Sequence, residues 1–427
     1  MLISNNTYTI REYESFVRGG NASSSLKHLP EKTFDSLESF ILENSVIVNK
    51  GASDFFTLGV KRGIGKTITA CNYVGLIAMK DGTIIEILPK IYLKNDQNLD
   101  ETKKILLTLL KSLKDITFKD FDMARLKVEK TTLFEIFISM FVQEVIALTK
   151  QGLLSSYQTI ESNEQFIKGK IQHANNIKEN LIHKERFALQ FDEFNLNRAE
   201  NRLIKTTLKY IQSITKSERN RHNIRNLIDV FSAVSFSVNI EADFSLCQSD
   251  RSITHYKKSL VWCKIFLLGN SFTSYSGSDV AIALLFPMEK VFEQFVASKI
   301  RRLIGNDVEI NTQHAKYSLF VQPKKSFALK PDIYLKANEK CIVMDTKWKI
   351  LNLNESNYGI SQSDMYQMYA YGKKYKADRV VLLYPLTEGF QDSRFSFDSG
   401  DGVQVDVRFV DLRESETNLS NILQEYL

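Results

Sequence analysis

One stretch decides how the C-terminal third of the chain folds: Lys330-Pro-Asp-Ile-Tyr-Leu-Lys-Ala-Asn-Glu-Lys-Cys-Ile-Val-Met-Asp-Thr-Lys347. Residues 333–335 and 341–344 are apolar, which is typical of strands. The segment 337–340 between them is short and mostly polar, which is typical of a turn. The stretch therefore predicts an antiparallel hairpin inside a small α/β domain.

The register of this hairpin decides which side chains face each other. A hairpin that is symmetric about residues 338–339 pairs the two apolar segments, and one step further Asp332 lies opposite Asp345. Opposed residues of an antiparallel pair have Cβ atoms about 5 Å apart and point to the same face. Lys347 follows Asp345 by two residues, so strand alternation places it on that face too.

Two carboxylates and a lysine on one face indicate metal-dependent hydrolysis of a phosphodiester. Opposed carboxylates repel each other unless a divalent cation binds between them, and Mg²⁺ often takes one or two carboxylates with waters and a phosphate. A lysine there orients or deprotonates the attacking water and stabilises charge on the phosphate. We predict that Asp332 and Asp345 bind Mg²⁺ and that Lys347 is catalytic, the PD-(D/E)xK pattern of many nucleases. The alternative is an ordinary hairpin whose acids and lysine are surface residues.

Two predicted helices on either side of the hairpin supply further catalytic candidates. The first contains Val291-Phe-Glu-Gln-Phe-Val296, and we predict that Glu293 reaches the metal as a third ligand. The second covers Asp364-Met-Tyr-Gln-Met-Tyr-Ala-Tyr371, in which Gln367 and Tyr371 are four residues apart and so share one helix face. Their amide and hydroxyl are predicted to hold DNA phosphates or to order the lysine. Polar contacts on the helix surface or in the core are the alternative for all three residues.

Composition sets the class of protein. The chain has 427 residues, 43% of them hydrophobic and 25% charged, and a net charge of +6, which is compatible with an anionic partner. Its four cysteines are unpaired in sequence, which argues against a zinc site by local spacing and suits a reducing compartment. Without a signal peptide or a long apolar run, the sequence predicts a cytoplasmic protein that does not enter a membrane.

Residue patterns divide the chain into three regions and predict a multidomain α+β fold. Residues 1–100 are predicted to be a β-rich N-terminal domain, with a hairpin turn at Asp81-Gly82. Residues 101–280 are predicted to be mostly helical, because apolar residues recur at helical spacing. Residues 281–427 form the predicted α/β domain with a mixed sheet and carry the candidate site.

A short glycine-rich segment resembles a phosphate-binding loop and is rejected as one. Gly63-Ile-Gly-Lys-Thr67 matches the end of the GxxxxGK[ST] pattern, but the position of its first glycine is Val60. The residues that follow are β-prone, so no helix N-terminus is available to hold a phosphate. We predict a basic turn between strands and no nucleotide bound by this chain.

Several motifs together resemble the McrC family, the nuclease partner in McrBC-type modification-dependent restriction systems. Beyond the site motifs around Glu293, Asp332, Asp345 and Gln367, the resemblance rests on four segments outside the last domain. They are Asn72-Tyr-Val-Gly75, Ile85-Glu-Ile-Leu-Pro-Lys90, Phe166-Ile-Lys-Gly-Lys-Ile171 and Phe194-Asn-Leu-Asn-Arg-Ala-Glu-Asn-Arg-Leu-Ile-Lys205.

The resemblance implies a partner and a division of labour. In this family the N-terminal part enters the channel of a hexameric AAA+ motor, McrB, and stimulates its hydrolysis of GTP or ATP, while the C-terminal domain cuts double-stranded DNA with Mg²⁺. It implies that residues 1–100 and 101–280 contact the motor and that complexes pair through the nuclease domain. Arg62, Lys168 and Lys170 are candidates for the motor contact, and solvated surface is the favoured alternative for each of them. The motor reads the modified base, so this chain needs no base-reading pocket.

Two other functions stay open at this point. One is an activator of an AAA+ motor whose nuclease site has decayed, which the intact Asp332, Asp345 and Lys347 argue against. The other is a stand-alone RecB-like nuclease, which the long N-terminal two-thirds of the chain argue against.

Overall fold

The computed structural model describes residues 7–19, 27–47, 55–91, 99–113, 131–247, 251–268, 280–305, 307–337, 339–387, 389–390 and 393–427. The chain forms two compact units, one from residues 1–133 with 271–427 and the other from residues 134–270. Helices and mixed sheets make it a multidomain α+β protein, as predicted. Within the residues described, no helix combines the length and apolar character that crossing a bilayer requires.

The N-terminal part of the first unit is built mainly from β-strands. One sheet has the order β3-β2-β5-β4, and a second begins with β1-β7-β6. The predicted hairpin turn joins β6 to β7, and Gly63-Ile-Gly-Lys-Thr67 lies in the turn and start of the β4–β5 hairpin. The elements are β1 (Thr7–Arg11), β2 (Ser15–Arg18), β3 (Lys27–Leu29), α1 (Glu31–Ile47), β4 (Phe56–Lys61), β5 (Gly65–Ala70), β6 (Tyr73–Met79), β7 (Ile84–Leu88) and α2 (Leu99–Leu110).

A strand from much later in the chain completes the second of these sheets. Strand β11 (Val280–Pro287) pairs antiparallel with β6 and gives the order β1-β7-β6-β11. Gly75 has φ +136°, and a Cβ atom there would lie 1.9 Å from the Leu284 carbonyl oxygen, so only glycine allows this approach. The boundary predicted between residues 280 and 281 therefore falls inside a strand, and the three-region division stays a prediction.

The C-terminal part of the first unit is a six-stranded mixed sheet with helices packed on it. Its order is β12-β15-β16-β17-β19-β18, with β16, β17 and β19 parallel and the outer pairs antiparallel. Helix α10 buries Met368, Tyr371 and Tyr375 against one face. The elements are α9 (Met288–Leu303), β12 (Val308–Thr312), β13 (Tyr317–Phe320), β14 (Ser326–Leu329), β15 (Ile333–Ala337), β16 (Lys340–Thr346), α10 (Gln362–Tyr375), β17 (Arg379–Pro385), β18 (Phe395–Asp398), β19 (Gln404–Val410) and α11 (Ser415–Gln424).

The second unit is mostly helical. It contains the predicted helices and also a three-stranded antiparallel sheet of order β8-β10-β9. The strands escaped prediction because polar residues fill much of both faces of this small sheet, so the apolar alternation is weak. The elements are α3 (Leu133–Gln151), β8 (Ser156–Glu164), β9 (Lys170–Ile171), α4 (His173–Glu179), β10 (Phe187–Asn195), α5 (Ala199–Ile214), α6 (Glu218–Val230), α7 (Ile240–Cys247) and α8 (Lys257–Leu268).

The buried Asn201 amide joins several segments of this second unit. Asn201 donates hydrogen bonds to the carbonyl oxygens of Leu154 and Leu196, both at 2.8 Å, and accepts one from the Tyr256 hydroxyl at 2.7 Å. Buried polar groups are costly unless paired, so these contacts fix the position of α5. The Asn-Arg-Ala-Glu-Asn-Arg segment that carries part of the family resemblance thus has a structural role.

A buried carboxyl joins the N-terminal strands to the segment that follows β16. Glu12 is 2% exposed, and its side chain accepts hydrogen bonds from the Lys90 amide at 3.0 Å and from Trp348 Nε1 at 3.0 and 3.2 Å. Burial raises the pKa of Glu12 to about 7, although the Lys90 and Trp348 hydrogen bonds oppose the shift.

This raised pKa predicts a loss of stability towards neutral pH. The folded protein keeps the Glu12 proton where the unfolded chain, with the ordinary value of 4.5, has released it. The contribution of Glu12 protonation to stability is fully present below pH 4.5 and is lost as pH rises through 7. The free energy of unfolding should change by about 3 kcal/mol over this range. Urea denaturation between pH 5 and 8 should therefore show a steeper decline for wild type than for Glu12→Gln. Parallel pH profiles of the two proteins would contradict the prediction.

Candidate active site

The hairpin of β15 and β16 has the predicted register. Ile333 pairs with Met344 and Lys336 with Cys341, so the ladder ends one step before Asp332 and Asp345. Strand β16 lies between β15 and β17, which leaves the Asp345 side chain 2% exposed near the strand's end. An acid in that position requires a partner, because an isolated buried charge is strongly unfavourable.

Asp332 is held in place by three donated hydrogen bonds. Its Oδ2 accepts from the backbone amide of Thr346 at 2.8 Å and from the Thr346 hydroxyl at 2.7 Å. Its Oδ1 accepts from Gln313 Nε2 at 3.1 Å. Burial raises the pKa of Asp332, while the Thr346 bonds and the Lys347 charge favour the carboxylate. The carboxyl group is therefore oriented before any ligand binds.

Asp345 and Lys347 form an ion pair on the same face of the sheet. Lys347 Nζ lies 2.7 Å from Asp345 Oδ2, which has no other polar partner among the described residues. Burial, followed by the charge of Asp332, raises the pKa of Asp345 to about 7. Burial disfavours the charged form of Lys347, but the surrounding carboxylates outweigh it and raise the lysine pKa. The buried Asp345 carboxyl and the half-buried Asp332 carboxyl, which repel each other beside one ammonium, are a suitable donor set for Mg²⁺, a hard cation that prefers oxygen.

Helix α10 reaches this pair through the two residues predicted on its face. Lys347 Nζ donates to Gln367 Oε1 at 3.1 Å, and Gln367 Nε2 donates to the Tyr371 hydroxyl at 2.7 Å. Tyr371 is buried, and burial raises its pKa, so it stays neutral. The geometry favours the ordering of the lysine over phosphate contact for this pair of residues.

Glu293 is connected to the site through a residue that the sequence did not single out. Gln313 Nε2 donates to Glu293 Oε1 at 2.7 Å as well as to Asp332. Among the described residues no three carboxyl, imidazole or thiol groups converge as a metal-binding cluster, so a third ligand role for Glu293 stays a prediction. Gln313 has φ +53°, a left-handed backbone that is uncommon outside glycine and often marks functional sites.

Gln313 is expected to act by positioning Asp332. Residues that orient metal-binding carboxylates typically contribute about 10- to 100-fold to metal affinity or activity. Gln313→Ala should therefore weaken Mg²⁺ binding, measured by calorimetry, and slow single-turnover DNA cleavage by at least about tenfold. The matched control is Asn311→Ala, which removes a side-chain amide that donates to Glu309 on the same strand, β12, outside the site. Equal metal affinity of the two variants would exclude the positioning role.

Comparison with known proteins agrees with this architecture. The family model described as McrBC 5-methylcytosine restriction system component matches residues 68–385. No curated protein matches the chain. A solved Thermococcus gammatolerans structure, a half-complex from a tetradecameric assembly of McrB AAA+ hexamers with bound McrC, contains a chain with a similar fold. It has a TM-score of 0.75 and 19% identity, with 99% of this chain and 100% of that chain covered.

A second solved structure, the Thermococcus gammatolerans McrBC complex, is similar over a smaller part. Its TM-score is 0.53 at 18% identity, with coverage of 70% of this chain and 89% of that chain. At such identities the two structures establish similarity of fold, whereas the family model spans most of the sequence. The chain belongs to the family of McrBC 5-methylcytosine restriction system components.

Proposed function

We propose that this chain is a McrC-like endonuclease subunit of a phage-defence restriction complex, which cuts modified double-stranded DNA with Mg²⁺. The observation that carries the proposal is the Asp345–Lys347 ion pair with Asp332 at the end of the adjacent strand, in a chain of the McrBC family. Their arrangement on a mixed sheet supports a PD-(D/E)xK nuclease domain in the C-terminal part of the chain.

In this proposal each residue has a defined task. Asp332 and Asp345 hold Mg²⁺, which when bound polarises the phosphate and lowers the pKa of a water molecule. The Lys347 ammonium stabilises charge that develops on the phosphate oxygens. Gln367 and Tyr371 keep the ammonium in place through their hydrogen bonds. Nicking of duplex DNA should stop when Mg²⁺ is chelated and resume when it is restored, and persistence under chelation would contradict the proposal.

We further propose a McrB-like AAA+ hexamer, a GTPase or ATPase, as the partner in the cytoplasm. The support is the fold shared with a chain of an assembly of McrB AAA+ hexamers with bound McrC. Residues 1–100 and 101–280 contact the motor, this chain binds no nucleotide itself, and two complexes meet through residues 281–427. The exposed Phe166 and Ile167, beside the exposed Lys168 and Lys170, make the segment before β9 a good candidate for the motor contact.

Removal of this apolar surface should weaken activation of the motor. Phe166→Ser with Ile167→Ser is expected to lower the partner's stimulated hydrolysis rate at limiting chain concentration by about tenfold, the effect of losing about 1.4 kcal/mol of binding. The control is Val238→Ser, at an apolar residue of the second unit that is fully exposed. Hydrolysis would be measured with GTP and with ATP. Equal stimulation by the double variant and the control would show that the motor does not bind at Phe166 and Ile167.

A further inference from the structure

A separate hairpin projects from the candidate active site. Strands β13 and β14 pair only with each other among the described strands and lie in the chain between β12 and β15. The two ends of this segment meet at the site, because the backbone N–H of Gln313 donates to the backbone carbonyl oxygen of Asp332 at 3.1 Å. Whatever the hairpin binds is therefore held next to the catalytic carboxylates.

The base of the hairpin is fixed to helix α10. The Tyr375 hydroxyl donates to the carbonyl oxygens of His314 and, at 3.0 Å, of Leu329, one on each side of the hairpin. The Tyr375 ring also packs edge-on against Tyr317, with ring centroids 4.8 Å apart. Since α10 also carries Gln367, one helix orients both the hairpin and the catalytic lysine.

The outer part of the hairpin exposes apolar side chains. Phe320 is 54% exposed, Val321 64% and Phe327 73%. The two phenylalanine rings pack edge-to-face against each other, with centroids 6.0 Å apart. Phe327 also has φ +55°, which is a strained conformation for a bulky residue. Packing among the described residues explains neither the exposure nor the strain, which indicates a binding role.

The charge of the segment identifies the kind of partner. Residues 314–331 contain four lysines and no aspartate or glutamate; the lysines are Lys316, Lys324, Lys325 and Lys330. Lysine side chains around exposed aromatic residues suit a polyanion with flat apolar groups, and DNA has both phosphates and bases. Protein surfaces that bind other proteins are instead depleted in lysine.

We propose that the hairpin of residues 317–329 is a DNA-contacting element, whose lysines bind phosphates and whose Phe320 and Phe327 contact bases next to the cut. That the hairpin lies beside the cut phosphate rests on the proposed nuclease function. That the hairpin binds DNA does not depend on that function. Aromatic side chains that enter a groove partly unstack a base step and bend the duplex. Such a contact would hold the scissile phosphate against Asp332 and Asp345.

The test measures DNA binding and base unstacking by the full chain without Mg²⁺, so that cleavage plays no part. The probe is a short duplex that carries 2-aminopurine, followed by fluorescence anisotropy and emission at several salt concentrations. Lys324→Glu with Lys325→Glu should weaken binding at least about tenfold and reduce the salt slope by about two, since each phosphate contact contributes about 0.9. Phe320→Ala with Phe327→Gly should abolish the rise in 2-aminopurine emission while most of the salt dependence remains.

A second lysine pair provides the matched control. Lys336 and Lys340 are exposed at the opposite end of β15 and β16, and Lys336→Glu with Lys340→Glu makes the same change of charge. Equal duplex affinity of the two lysine variants, or no duplex binding by wild type, would overturn the proposal. So would hairpin variants that alter self-association in sedimentation experiments but not DNA binding, since the occupant would then be a second copy of the chain. If wild type bound duplex through the hairpin but did not cut it in a separate assay with the motor and Mg²⁺, the nuclease function alone would be contradicted.

Discussion

Asp345→Asn is expected to lower the rate of DNA cleavage by about a thousandfold or more, without loss of fold or of motor stimulation. The substitution keeps the shape of the side chain but removes the charge that binds Mg²⁺ and pairs with Lys347 Nζ at 2.7 Å. Burial already raises the pKa of Asp345 to about 7, so neutralising this group should not destabilise the fold. Nicking of a modified plasmid, motor hydrolysis and thermal denaturation of the same preparation would be measured together.

A buried aspartate elsewhere in the same sheet is the matched control. Asp406 lies on β19, is also buried and accepts a hydrogen bond from Ser396 at 2.6 Å. Asp406→Asn makes the same chemical change away from the site and should retain cleavage. Cleavage at the wild-type rate by the Asp345 variant, or an equal loss of cleavage in both variants, would contradict a catalytic role for Asp345.

A mixture of wild-type chain with excess Lys347→Ala chain should yield mostly nicked plasmid. One set of Asp332, Asp345 and Lys347 attacks one phosphodiester at a time, and the strands of a duplex are antiparallel. A second copy related by two-fold symmetry reaches the other strand, so a mixed pair of complexes cuts one strand only. The ratio of nicked to linear plasmid, followed as the fraction of variant rises, measures this effect.

The control mixture uses Lys349→Ala, two residues further along. Lys349 pairs with Asp364 at 2.7 Å rather than with the catalytic carboxylates. Mixtures that contain this variant should give linear plasmid, as wild type does. If the Lys347 mixture instead lost nicked and linear products together, in proportion to the wild-type fraction, a single site would be making both cuts in turn.

Short-range features of the fold were predictable because they depend on neighbours in sequence. The Asp81-Gly82 pair predicted the turn between β6 and β7. The same holds for the hairpin that carries Asp332 and Asp345. Its turn is short, and one register alone pairs the apolar segments fully.

Long-range pairings were not predictable from local patterns. Strand β11 is apolar like many strands, and nothing around it indicates that it joins β6, some 200 residues earlier in the chain. The sheet of β8, β9 and β10 has too weak an apolar alternation to distinguish it from loops. A fragment that ends at residue 280 would lack β11 and leave β6 unpaired on that side, so full-length variants are the better tools.

Within the site, the sequence indicated residues with distinctive chemistry and missed those that support them. Strand alternation predicted the face on which Lys347 lies, and helix periodicity predicted the face of Gln367. The structure brings the two side chains within hydrogen-bond distance. Gln313 and Thr346 hold Asp332 through an amide, a hydroxyl and a backbone N–H, groups that occur all along the chain. Their role depends on the left-handed backbone at Gln313 and on the end of β16, which sequence patterns do not encode.

The most direct test is cleavage of a plasmid that contains 5-methylcytosine by the purified chain, its AAA+ partner, nucleotide and Mg²⁺, with each component omitted in turn. Linear DNA is expected in the complete mixture only, with both GTP and ATP tried as the nucleotide. Omission of the partner, the nucleotide, Mg²⁺ or the modified base should leave the plasmid supercoiled. Linear DNA without the partner would identify a stand-alone nuclease. An intact plasmid in a complete mixture whose nucleotide hydrolysis is stimulated would identify a motor activator without nuclease activity and contradict the role assigned to Asp332, Asp345 and Lys347.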